Sequence, residues 1–240
     1  MTGTALRFDV RLFGRYRELA DGDTLVLDLA PGATVADLVA ALHAAVDGPL
    51  PSRPVVAVNR RPAADGVVLG AGDEIALIPP GGGRMTGTRE AVRPTADLGA
   101  LSPEPIDAAE LASSVDPGCG AVVTFEGRVR NVNEGRPVVR LHYDAYPEMA
   151  DEVFADILDR ARRTHPVNAV RVLHRTGTLE VGETAVAIAV AAGHRDEAFA
   201  AARFVIEAVK AELPVWKREE YEDGSFRWLG EEPAAGGGTA

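Results

Sequence analysis

Among the residues that could do chemistry, two amines stand out. Lys210 and Lys217 are the only lysines in a 240-residue chain whose 25 basic residues are otherwise all arginine. Arginine keeps its proton under ordinary conditions. A partly desolvated lysine can release one and act as a nucleophile or general base. The stretch Val209-Lys210-Ala211-Glu212-Leu213-Pro214-Val215-Trp216-Lys217-Arg218-Glu219 therefore reads as a place that needs an amine twice. Cations near a helix C-terminus are also ordinary, but arginine would serve that purpose equally well.

A second set of candidates is built for anions. In the strand expected over Gly120–Arg130, alternation places Arg128 and Arg130 on one face with Val122, Thr124 and Glu126. The two arginines would lie about 7 Å apart along the strand, close enough to fork onto a phosphate or carboxylate. A plain exposed strand face would look the same. Gly193-His194-Arg195-Asp196 falls where a strand hands over to a helix, and a helix N-terminus offers unpaired N–H groups and a positive dipole end to an anion. His174-Arg175 repeats the dipeptide at another strand end, so His194 alone is as readily a surface turn residue.

Composition narrows the classes. A net charge of -11 argues against nonspecific nucleic-acid binding, which needs a basic face, so an anionic ligand must find a local positive pocket. A single cysteine, Cys119, cannot form an internal disulfide, and the N-terminus lacks a signal-type apolar core. The longest apolar run, Ala185–Ala192, is far too short to span a bilayer. The expected compartment is the cytoplasm, with no membrane or nucleic-acid partner.

The elements that position these residues fall into two parts. Leu6, Phe8, Val10 and Leu12 alternate with polar residues, as do Leu25, Leu27 and Leu29, which predicts an antiparallel hairpin. Thr34 caps a helix to about Val46, with Val35, Leu38, Val39 and Leu42 on one face, and strands follow at Val55–Val58 and Glu74–Ile78. Strand, strand, helix, strand, strand in some eighty residues predicts a β-grasp domain. It ends in Ile78-Pro79-Pro80-Gly81-Gly82-Gly83-Arg84, a thin backbone that can thread a channel or serve as a linker. No Gly-Lys-Ser/Thr follows, so a phosphate-binding loop is disfavoured. Met85-Thr86-Gly87-Thr88 repeats the opening Met1-Thr2-Gly3-Thr4, as a second start fused behind the first would.

The second part is predicted as α+β. A short helix is capped by Asp107 and anchored by Leu111. The long strand to Arg130 follows, then a turn over Asn131–Pro137 and a strand over Val139–Tyr146. Pro147 opens a helix to about Arg163, striped by Val153, Phe154, Ile157 and Leu158. Strands at Ala169–His174 and Thr184–Ala191 flank a turn at Gly182, and a last helix runs from Asp196. On that helix Phe199, Ala202, Ile206 and Val209 are expected to be buried, with Lys210 one position off the stripe and partly sheltered. Pro214 ends it, so that an extended segment can fold Lys217 back toward Lys210; Phe226 and Trp228 are expected to close the core.

Three separated stretches, Val122-Val123-Thr124-Phe125-Glu126-Gly127-Arg128-Val129-Arg130-Asn131, Ala192-Gly193-His194-Arg195 and Pro214-Val215-Trp216-Lys217-Arg218-Glu219, resemble the large subunit of molybdopterin synthase. The Gly-Gly after a β-grasp resembles its small, ubiquitin-like sulfur-carrier subunit. The resemblance implies a carrier domain over 1–83, a linker over 84–96, an α/β-hammerhead-like catalytic domain over 97–232 and a disordered tail over 233–240. It further implies sulfur transfer from a Gly83 thiocarboxylate to cyclic pyranopterin monophosphate, forming the dithiolene of molybdopterin, with no metal or other cofactor and no role for Cys119. Arg128, Val129, Arg130, His194, Arg195, Lys210, Lys217, Arg218 and Glu219 would bind substrate, with Lys210 and Lys217 as the catalytic amines. An adenylating, sulfur-loading enzyme and a second copy of the chain, joined through the second domain, are the implied partners. Gly83 is here in peptide linkage to Arg84, whereas a thiocarboxylate needs a free carboxyl end; either the chain is cut there or a separate carrier is used. The competing class is a carrier or interaction module fused to a non-catalytic pterin- or partner-binding domain.

Overall fold

Leu6–Leu12 forms β1, with Phe8, Val10 and Leu12 buried and Arg7 and Asp9 exposed, as the alternation requires. This structure, a computed structural model, describes residues 5–46, 54–79, 97–113 and 118–229. The chain divides into two compact units, Met1–Gly82 with Trp228–Ala240, and Gly83–Arg227.

In the first unit β1 pairs antiparallel with β2 (Thr24–Leu29), Val10 opposite Leu25. The spacer between them, expected as a turn, holds a short helix, α1 (Arg15–Leu19), which buries Tyr16. Helix α2 (Val35–Ala45) starts where expected. The Thr34 hydroxyl accepts the Asp37 N–H, and the Asp37 carboxylate accepts the Thr34 N–H at 2.8 Å, satisfying two of the free donors of a helix start. Val35, Leu38 and Leu42 pack among Phe8, Val10, Leu12 and Leu77. Then come β3 (Val55–Val58), β4 (Arg61–Pro62) and β5 (Ile75–Ile78); the sheet order is β2-β1-β5-β3-β4, and β5 is parallel to β1. One helix packed on a mixed sheet with its first and last strands side by side is the β-grasp. The residues after Pro79, including Gly83, lie outside the described residues.

The second unit contains β6 (Leu98–Ser102), α3 (Ala108–Ser113), β7 (Ala121–Arg128), β8 (Val132–Asn133), β9 (Arg136–Ala145), α4 (Pro147–Thr164), β10 (Val167–Arg175), β11 (Gly177–Glu180), β12 (Thr184–Ala192), α5 (Arg195–Glu212), β13 (Val215–Tyr221) and, but for its last residue, β14 (Phe226–Trp228). Two sheets result, β6-β10-β12-β7 and β11-β9-β13-β14, with β8 paired to β9. Helices α4 and α5 share a core with the first sheet, centred on Phe154, Ile157, Val172, Ile188 and Val205. A smaller core of Val129, Val138, Leu141, Leu179 and Tyr221 belongs to the second.

Several expectations need correction. Strand β6 was not anticipated; it is added parallel to β10, and at its second residue, Gly99, a Cβ would come within 2.7 Å of the Phe154 Cβ. Only a missing side chain lets α4 lie that close. Gly182 makes the expected turn, with φ of 92°, but a short strand, β11, precedes it in the same interval. Helix α5 buries Ala198, Ala201, Ala202, Val205, Ala208 and Val209 and leaves Phe199 63% exposed. Its apolar arc is centred on alanines, small enough for the helix to sit closely on the sheet. Phe226 is 56% exposed and closes no core, although Trp228 is buried. The segment after Pro214 is a full strand of the second sheet, not merely an extended link.

Candidate active site

A strand puts alternate side chains on opposite faces, so β13 sorts its own residues. Lys217, Glu219 and Tyr221 share one face; Arg218 and Glu220 take the other. Lys217 is half-buried and stands opposite Tyr143 of β9 in the antiparallel ladder, with Glu219 opposite Leu141. Glu219 is only 3% exposed, a burial that a carboxylate tolerates only with partners. Its Oε2 accepts from Asn133 Nδ2 at 2.8 Å and from the Tyr221 hydroxyl at 2.9 Å. Asn133 Oδ1 in turn accepts from Arg130 Nη2 at 3.0 Å. The β8–β9 hairpin sets Asn133 in place: Glu134 and Gly135 make its two-residue turn with φ of 49° and 78°, the left-handed pair such a turn needs.

Electrostatics single out one amine. Burial holds the Lys217 ammonium below the usual lysine range; Glu219 opposes that shift, and the positive charges of Arg130 and Lys210 add to it. Around it the aromatic groups stay neutral. Burial, reinforced by Glu219, pushes the Tyr143 phenol up to about 12. Burial lowers His174 to about 4. Its neutral ring packs edge-on to Tyr143, with centroids 5.0 Å apart, and its Nδ1 lies 2.8 Å from the carbonyl of Arg175. A carbonyl can only accept, so Nδ1 carries the proton. The result is a desolvated amine among two cations and one buried carboxylate, suited to nucleophilic or general-base work beside a bound anion.

The expected site residues are only partly brought together. Arg130, Lys210, Lys217 and Glu219 form one electrostatic cluster. Lys210 is exposed, correcting its expected shelter: the buried face of α5 runs through Val205, Ala208 and Val209, and Lys210 falls outside it. The guanidinium of Arg128 is bound bidentately by Glu126, at 2.9 Å for each contact. Val129 is buried, and its N–H and C=O bond to Glu183 and Gly182, so it serves to space its neighbours. Arg218, on the other face, donates to Glu220 and lies 5.1 Å from the Phe226 ring centre. There it lines a separate hollow of about 440 Å³ with Val139 and Arg140. His194 is the exposed N-cap of α5, with Arg195 beside it. Lys210 is near the opposite end of that helix, about 24 Å away at 1.5 Å per residue.

The sequence reading missed Asn133, Tyr221, Tyr143 and His174. The period of Lys217, Glu219 and Tyr221 could have placed the last of these three on the same face; nothing local marks Asn133. Among the described residues no group of His, Cys, Asp or Glu is arranged to hold a metal ion, and no helix is long and apolar enough to cross a membrane.

Residues 101–212 match the MoaE protein family, and residues 10–83 match the ThiS family. The molybdopterin synthase catalytic subunit of Thermoplasma volcanium is 42% identical over 112 residues, 47% of this chain and 82% of that protein. The chain belongs to the molybdopterin synthase family. Catalytic subunit 1 of that enzyme in Mycobacterium tuberculosis is 41% identical over 134 residues, covering 55% of this chain and 90% of its own. Among solved structures, molybdopterin synthase from Staphylococcus aureus superposes with a TM-score of 0.52 at 34% identity, spanning 54% of this chain and 95% of that one. The family's catalytic subunit and a ThiS-type β-grasp carrier are thus joined in one chain.

Proposed function

We propose that the chain carries out the synthase reaction at the face of β13 that bears Lys217, converting cyclic pyranopterin monophosphate to molybdopterin. The observation that carries this reading is the half-buried Lys217, its charge disfavoured by burial, between Arg130, Lys210 and the buried Glu219. Arg130, together with Arg128, holds the substrate phosphate; Lys217 activates the attack or holds a covalent intermediate. The sulfur of a glycyl thiocarboxylate bonds to a carbon of the pterin side chain as a carbon–oxygen bond there breaks, the oxygen staying on the opened cyclic phosphate or leaving as water. Water then cleaves the acyl–sulfur bond, returning a glycine carboxylate and leaving sulfur on the pterin, and a second transfer completes the dithiolene. Adenylation and sulfur loading of the carrier fall to a separate enzyme, and the reaction belongs to the cytoplasm.

His194 and Arg195 fit this reading in trans. They lie about a helix length from Lys210 in their own chain, so they serve the lysines of a second copy in a homodimer formed through the second domain. Arg218, facing the other side of its strand, supports the sheet instead of touching substrate.

The test is intact mass of the protein from its native host, followed by turnover of purified substrate. Cleavage after Gly83 with a gain of roughly 16 Da on the N-terminal fragment, from oxygen replaced by sulfur, is expected of a self-supplied synthase. The peptide bond from Gly83 to Arg84 favours a second reading, in which an uncut chain is served by a separate thiocarboxylated carrier. An uncut chain active only with an added carrier supports that version; no turnover with either donor sinks both.

A further inference from the structure

Among the described residues Glu219 is the carboxylate that opposes the loss of charge on Lys217, and it is held by residues to which no role has been given. Both of its recorded hydrogen bonds fall on a single oxygen, Oε2, from two directions: Asn133 at the end of a hairpin arm 86 positions away in sequence, and Tyr221 two positions on along β13. We propose that Asn133 and Tyr221 are positioning residues that fix the Glu219 carboxylate as the counter-ion of Lys217. Asn133 further ties that carboxylate to the anion-binding Arg130.

The geometry favours this over simple filling of the core. Two donors to an ionised carboxylate stabilise its charged form and its orientation together, and at 3% exposure water cannot stand in for either. Asn133 also uses both ends of its amide, donating through Nδ2 and accepting Arg130 through Oδ1. An isosteric Leu or Asp could not do both. An anion gripped by Arg130 is thereby linked, through one side chain, to the carboxylate that sets the charge of the amine. The charged and titratable groups facing this carboxylate and amine are Arg130, Tyr143, Lys210, Tyr221 and, beyond Tyr221, Arg136 and Arg227.

The kinetic consequence rests on the synthase reading; the electrostatic one does not. Because the chain has only two lysines, reductive ¹³C-methylation of the full-length protein gives two side-chain signals, assigned with Lys210→Ala. In Asn133→Ala and in Tyr221→Phe, the Lys217 signal is expected to titrate at lower pH than in the parent, and in Glu219→Gln lower still. On the high-pH plateau, where Lys217 is neutral in every variant, the single-turnover rate of the first two should fall about tenfold through lost positioning, the size expected for one lost bond to a charged group. If Glu219→Gln moves the Lys217 titration and neither positioning variant does, the proposal is overturned. It is equally overturned if Glu219→Gln leaves Lys217 unmoved. Should Asn133→Ala fail to fold, Tyr221→Phe alone decides. A parent protein without turnover condemns the synthase reading and leaves the titration arm intact.

Discussion

Asn133 donates to Oε2 of Glu219 at 2.8 Å, so a hairpin turn and a strand far along the chain meet on one carboxylate beside Lys217. The charge state of that amine consequently depends on groups drawn from several elements, and this shapes how substitutions should act.

Lys217→Ala is expected to abolish turnover, and Lys217→Arg to fail to restore it, because guanidinium does not release its proton at working pH. With Lys217 acting as a neutral amine, the single-turnover rate rises with pH through a midpoint below the usual lysine value. Arg130 and Lys210 depress that midpoint and Glu219 raises it. Lys210→Ala should therefore move the rising limb to higher pH, and Glu219→Gln to lower pH. A limb that stays put in both variants would assign the rate to some other group.

Mixing tests the assignment in trans. His194→Ala and Lys217→Ala should each be inactive alone. Co-refolded at equal amounts, they should recover up to about a quarter of parental activity, since half of randomly assorted dimers are mixed and each holds one intact site of two. Recovery near zero would place His194 in the same site as the lysine of its own chain, or outside catalysis.

Buried His174 predicts an acid dependence of stability. Its folded value of about 4 lies below the unfolded 6.5, so between those values the unfolded chain binds the extra proton. Stability therefore falls as pH drops from about 6.5 toward 4, by at most about 3 kcal/mol. His174→Gln, which keeps a donor for the Arg175 carbonyl, should flatten that part of a pH series of denaturant melts. An unchanged slope would show that other groups govern it.

Gly99 predicts a packing limit. Gly99→Ala sets a methyl 2.7 Å from the Phe154 Cβ and should destabilise the protein by about 1–3 kcal/mol through overpacking. Because the clash reaches the Cβ and not only the ring, Phe154→Leu should relieve it only in part. In a double-mutant cycle by chemical denaturation, strictly additive losses would show that the two sites do not touch.

Much of this protein is written locally. Period-two runs such as Leu6 to Leu12 and the capped stripe of Val35, Leu38 and Leu42 determined the β-grasp, because one buried face imposes its own spacing. The two lysines and the arginine pair were likewise visible as residue types. Strand β6 was not, since Leu98 to Ser102 carries no alternation and is a strand only because β10 accepts it in register. Phe199 misled for a related reason: an arc of alanines, weak in any hydrophobic pattern, outcompeted it for the sheet. The sequence by itself determined that the chain's two lysines lie within one eight-residue stretch. Only the tertiary structure decided that Lys217 is the desolvated one and Lys210 is exposed, and that Asn133 bonds the buried Glu219. Desolvation and hydrogen-bond pairing depend on which distant segments pack against a residue, and neighbours in sequence do not encode that.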